Sequence, residues 1–93
     1  MIVGFASRET ELIWSGRRSR KLPSDIQPIA LRKLRMLNQA RVLADMRIPP
    51  ANRLEALRGN RTGQHSIRIN DQWRICFRSS TNGASDVEIV DYH

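Results

Sequence analysis

His65-Ser66-Ile67-Arg68-Ile69-Asn70-Asp71-Gln72-Trp73-Arg74-Ile75-Cys76-Phe77 decides the fold, because its side chains alternate with period two. His65, Ile67 and Ile69 fall on one face of a strand, with Ser66 and Arg68 on the other. Trp73, Ile75 and Phe77 share a face of the next strand, with Arg74, Cys76 and Arg78 behind them. Two antiparallel strands align these apolar faces only if Ile69 lies opposite Trp73. That makes Asn70-Asp71-Gln72 a three-residue connection, since a two-residue turn would set Ile67 against Arg74. The register therefore predicts Ile67 beside Ile75 and, on the reverse face, Arg68 beside Arg74. Two cations directly opposite destabilise a strand pair by up to about 1 kcal/mol. A fold tolerates this if an anion lies above them, supplied by Asp91 or by a bound phosphate.

Outward from this hairpin, residues 86–91 form a last strand that follows the turn Thr81-Asn82-Gly83-Ala84. Upstream, the clearest helix starts near Ser24-Asp25, with Asp25 as N-cap and Pro28 in the first turn. Ile26, Ile29/Ala30, Leu34, Leu37 and Ala40 then recur at spacings of three and four, broadened by Leu31, Met36 and Leu43. Arg32, Lys33, Arg35, Asn38, Gln39 and Arg41 fall largely away from that stripe. Pro49-Pro50 ends any helical continuation, and Leu54 and Leu57 anchor the connecting segment. Residues 10–15 read as a short helix closed by Gly16, and residues 2–6 as a short strand with Val3 and Phe5 on one face. The expected architecture is α+β, a small and mainly antiparallel sheet with two to three N-terminal helices packed on one face. One domain spans residues 1–93.

Sixteen basic residues against nine acidic ones give a net charge of +7 and an isoelectric point near 11.3. All but Lys21 and Lys33 are arginines, whose planar fork suits phosphate. Nucleic acid is the first partner this charge implies, an acidic protein the second and a membrane surface the third. Arg17-Arg18-Ser19-Arg20-Lys21 has nothing apolar to bury and reads as a mobile basic loop. No run of apolar residues is long enough to span a membrane, and the N-terminus lacks the basic and small-residue features of a signal peptide. The lone Cys76 cannot form an intrachain disulfide, fits a reducing cytoplasm, and reads as a packing residue on its strand.

The chemistry-bearing residues gather at the end of the chain. Asp91, Tyr92 and His93 bring an acid, a phenol and an imidazole to a sheet edge. In a regular strand His93 would share a face with Asp91, and both that acid and the chain's own carboxylate would favour the imidazolium form. Arg58-Gly59-Asn60-Arg61-Thr62-Gly63 is a glycine-flanked loop able to offer N–H groups and guanidinium forks to a phosphate. His65, on the apolar face, reads as a packed histidine. Two histidines and one cysteine show no metal-ligand spacing.

The runs from Asn52 to Gly63, from Ser66 to Phe77 and from Val87 to His93 together resemble the HigB-type toxins of the RelE/ParE superfamily, closest to their GraT-like subgroup. That resemblance implies the toxin of a bacterial type II toxin–antitoxin system, acting in the cytoplasm as a metal-independent endoribonuclease that cuts mRNA in the ribosomal A site. It implies a HigA-type helix-turn-helix antitoxin, ribosome and mRNA as partners, operator DNA contacted through the antitoxin complex, no membrane and no cofactor. By position, Arg74 matches the family's phosphate-holding arginine and Arg58 a basic residue at the start of the glycine loop. Asp91, Tyr92 and His93 match its terminal trio, with His93 placed for proton transfer. Arg61, Arg68, Arg17, Arg18, Arg20 and Lys21 are the further candidates for RNA or phosphate binding. Some members carry a histidine three residues before the basic loop residue, where this chain has Glu55, so the general base stays open. The alternatives are a ParE-like poison of DNA gyrase and a non-enzymatic basic module that binds nucleic acid or antitoxin.

Overall fold

The computed structural model describes residues 1–91, so Tyr92 and His93 of the terminal trio lie outside the described residues. Four strands, β1 (Glu55–Ala56), β2 (His65–Arg68), β3 (Trp73–Ser80) and β4 (Gly83–Asp91), form one antiparallel sheet in sequence order. The register is the one the alternation predicts: Ile67 lies opposite Ile75, and Arg68 opposite Arg74. The Ile69 N–H donates to the Trp73 carbonyl at 2.9 Å, closing the three-residue connection.

The β3–β4 connection is shorter than expected. Ser80 already pairs with Gly83, so Thr81-Asn82 alone makes the turn. Gly83 has φ 127°, and a Cβ there would lie 2.1 Å from the Met1 carbonyl oxygen, so only glycine fits. A bulge follows, with the pairing shifted between Cys76 and Arg78 and Asp86 at φ 51°. The extra residue lets both Ala84 and Val87, three apart, face the core. The same bulge explains why residues 2–6 do not form a continuous strand. They touch β4 through two isolated parallel bridges, Ile2 to Ala84 and Phe5 to Val87. Phe5 packs against the core while Val3 is half exposed, so the two do not share an environment.

Two α-helices cover one face of the sheet. α1 (Arg8–Trp14) begins earlier than the sequence suggests because Ser7 caps it, its Oγ accepting from the Thr10 N–H at 3.3 Å. α2 (Gln27–Gln39) carries Pro28 in its first turn, but Asp25 does not cap it. Ser24–Ile26 instead forms a 3-10 turn that runs directly into the helix. Ile26, Ala30, Leu34 and Leu37 of the predicted stripe are buried with Ile67, Ile75, Phe77, Val87 and Ile89 of the sheet. The Ile89 N–H donates to Thr10 Oγ1 at 2.9 Å, tying α1 to β4.

Lys33 departs from its expected solvated face. It is 5% exposed, and its ammonium donates to the buried Asn52 Oδ1. Burial first, then the charges of Arg32 and Arg68, push its pKa below the ordinary lysine value. The apolar stripe is wider than a 3-4 pattern marks, and a long side chain on its border is drawn inward once a polar partner awaits it.

Candidate functional site

With the helices on one side, the reverse face of the sheet is left for chemistry. The ladder sets Glu55, Ser66, Cys76 and Glu88 in one row across all four strands. Arg68, Arg74 and Val90 form the next row. Arg74 is firmly held on this face, only 11% exposed. Its Nε donates to Ser66 Oγ at 2.7 Å and its Nη2 to the Arg53 carbonyl at 2.7 Å. The same Nη2 lies 3.6 Å from Glu55 Oε1, a carboxylate that is half exposed.

The anions beside the facing arginines are not the one anticipated. Glu55 pairs with Arg74, and Asp71 with Arg68. The Arg68 side chain holds the Asp71 carboxyl below its usual range. Asp91 lies opposite Trp73, on the helix-facing side, where its Oδ2 accepts from Gln72 Nε2 at 3.0 Å. An odd-numbered offset along one strand is enough to turn it away from the Arg74 face.

Over the Cys76–Glu88 end of the row lies the glycine-flanked loop, whose Gly59–Arg61 segment is a 3-10 turn. Arg61 Nη1 reaches Glu88 Oε1 at 3.2 Å and Gln64 Oε1 at 3.1 Å. Arg58, at the head of that turn, is exposed. The structure thus brings Arg61, Arg68, Arg74 and Glu55 to one face. Cys76 beneath them is fully buried, and that burial pushes its thiol pKa up, consistent with packing and not with nucleophilic chemistry. The native protein should therefore resist iodoacetamide while the denatured protein takes up one equivalent. Rapid modification of the folded chain, read by mass spectrometry, would contradict this.

The basic loop is not the mobile segment its composition suggests. Ser19 is 2% exposed. Its Oγ donates to Glu9 Oε1 at 2.6 Å and accepts from the N–H groups of Lys21 and Leu22, both at 3.2 Å. Gln27 receives the Ser19 N–H at 3.1 Å and donates to the Ser19 and Leu22 carbonyls at 2.8 and 2.9 Å. Hydrogen bonds replace the apolar anchor the sequence lacks. Arg17, Arg18, Arg20 and Lys21 stay exposed around this hub, in the helix layer and on the other side of the sheet from Arg74. The basic residues therefore form two groups, not one continuous surface.

His65 stacks on Phe77, with ring centroids 6.4 Å apart, as a packed histidine would. Among the described residues no group of His, Cys, Asp and Glu converges as a metal site would require, and no helix is long and apolar enough to cross a membrane. Sequence reasoning missed Ser66 and the Arg53 carbonyl as partners of Arg74, and it left Glu55 without a place. The only signal was the alternation that puts Ser66 on the arginine face. A two-residue β1 leaves no period to read.

Known proteins agree with this architecture. A family profile described as the RelE-like toxin of type II toxin–antitoxin system HigB matches residues 10–93. Toxin HigB-1 of Vibrio cholerae serotype O1 is 47% identical over 62 residues, which cover 67% of this chain and 65% of that relative. An uncharacterized protein of Haemophilus influenzae is 34% identical over 67 residues, covering 72% and 66% respectively. The match thus spans just under two thirds of the length of either relative.

Proposed function

The chain belongs to the HigB family of RelE-like toxins of type II toxin–antitoxin systems, and from that premise we propose that it is a ribosome-dependent endoribonuclease that cuts mRNA in the A site. The observation that carries this reading is the group of arginines on the sheet face opposite the helices, centred on Arg74 and preorganised by Ser66, Arg53 and Glu55. In such a cleavage the 2′-OH of one nucleotide loses its proton and attacks the adjacent phosphorus. The bond to the 5′-oxygen of the next nucleotide breaks, and that oxygen takes up a proton. The phosphorane between these events carries more negative charge than the diester, and a fixed guanidinium stabilises it most where it is already oriented. Arg74 holds that charge, with Arg58, Arg61 and Arg68 steering the neighbouring phosphates. His93, with Tyr92 beside it in the chain, moves a proton, while Asp91, turned to the other side of the sheet from Arg74, takes no part at the phosphorane.

Primer extension on a translated mRNA tests the reaction. Breaks within the codon occupying the A site, seen only with ribosomes present, support it. Intact mRNA alongside arrested DNA gyrase would overturn it in favour of gyrase poisoning. Intact mRNA with unimpaired growth would leave only a binding module. The reading also places the protein in the bacterial cytoplasm with a HigA-type helix-turn-helix antitoxin, the two together binding operator DNA. Co-purification from the native operon checks that partnership, and a toxin recovered alone and harmless would count against it.

The Ser19-held cations have a separate task in this scheme, binding ribosomal RNA away from the scissile bond. Replacing Arg17, Arg18, Arg20 and Lys21 together with glutamine should weaken ribosome association. It should also flatten its salt dependence, by about 0.7–0.9 in log–log slope for each phosphate that is no longer neutralised. An unchanged slope by sedimentation at several salt concentrations would remove this role.

A further inference from the structure

Asn52 is fully buried, and its side chain is used at both ends. Its Nδ2 donates to the carbonyls of Met46 at 3.1 Å and Ile48 at 3.4 Å, while Oδ1 accepts from the Lys33 ammonium. This clamp fastens residues 46–52 to α2. The next residue, Arg53, adopts left-handed backbone angles, φ 46° and ψ 55°, which residues other than glycine seldom adopt. Its N–H donates to the Pro50 carbonyl at 3.0 Å, and its own carbonyl oxygen accepts from Arg74 Nη2. Two residues later comes Glu55, paired with the same nitrogen. Both groups that meet Arg74 Nη2 from this segment therefore follow directly from the clamp. β1, with two ladder pairs, is too short to fix that segment by itself.

We propose that Lys33 and Asn52 are positioning residues, a buried clamp that orients the Arg74 guanidinium through the Arg53 carbonyl and the Glu55 carboxylate. The proposal deepens the functional reading above and rests on it for the task of Arg74. Stability alone does not account for this pair. An ammonium buried beside Arg32 and Arg68 is electrostatically unfavourable, and replacing buried charged groups by apolar side chains of similar size is often neutral or stabilising. What the polar pair adds is direction, because the hydrogen bonds of Asn52 fix where residue 53 turns.

The test separates holding from positioning. Lys33→Met, Asn52→Leu and the double variant are compared by thermal unfolding, by the Arg74 Nη–Hη signals in nitrogen-15 NMR, and by single-turnover cleavage on programmed ribosomes. Each single variant leaves a buried polar group without its partner and should lose stability. The double variant removes both ends of the Lys33–Asn52 bond and should regain part of that loss. If the pair positions Arg74, its Nη–Hη signals, which report the bonds to the Arg53 carbonyl and Glu55, shift toward those of a free arginine in all three. The cleavage rate then stays roughly 10–100-fold down in the double variant, while half-saturation by ribosomes is little changed. Should Asn52→Leu fail to fold, Lys33→Met carries the comparison with the native protein. An unmoved Arg74 signal, or a rate that recovers together with stability, overturns the proposal. A native protein that cuts no mRNA would instead sink the functional reading, and the NMR signal would still decide the clamp.

Discussion

Arg74→Ala is expected to abolish mRNA cleavage and growth arrest, and to lower the melting temperature as well. From the sequence this would be a clean functional substitution, since the side chain lies off the apolar face. The structure adds the second effect. Arg74 is 11% exposed and bonded to Ser66 Oγ and the Arg53 carbonyl, with Glu55 beside it. Removing it strands the buried Ser66 Oγ, and a buried polar atom left unpaired costs about 1–3 kcal/mol. The loss of a preorganised charge at the phosphorane should separately cost about 10²–10³ in rate. Arg74→Lys divides the two effects. A lysine retains the charge but cannot serve Ser66 and Arg53 at once as the fork does. That variant should fold, bind ribosomes and remain nearly inactive. Circular dichroism melts with primer extension read both effects. Cleavage at the native rate in Arg74→Ala would remove Arg74 from the reaction.

His93→Ala is expected to have an effect of comparable size. A positioned general acid or base contributes about 10²–10⁴-fold in rate. The native pH–rate profile should show a limb that the variant loses. Ribosome association should persist, because the Ser19-held cations are untouched. Glu55→Gln belongs in the same assay. Glu55 is a half-exposed carboxylate 3.6 Å from Arg74. If His93→Ala cuts mRNA at the native rate, proton transfer leaves His93, and a slow Glu55→Gln assigns it to Glu55 only where the Arg74 guanidinium signals stay unmoved.

The residues divide by the kind of information each position requires. Where one face must be buried, local alternation is enough. Ile67, Ile75 and Phe77 on one side and Ser66, Arg68 and Arg74 on the other follow from a repeat of two, because a slip by one residue would expose the whole apolar set. The 3-4 spacing of Ile26, Ala30, Leu34 and Leu37 fixed the face of α2 for the same reason. Polar partners carry no such period. Lys33 meets Asn52, and Arg74 meets the Arg53 carbonyl, across long stretches of chain, and hydropathy is blind to both pairs. Ser19 anchors a loop that composition alone made mobile, since an anchor of hydrogen bonds leaves no apolar trace in sequence. The bulge at Asp86 placed Ala84 and Val87 together in the core, which strict alternation forbids. The sequence by itself determined which faces are apolar and how β2 meets β3, because burial drives both. Tertiary structure alone decided which carboxylate stands beside which arginine, because that depends on where distant backbone converges.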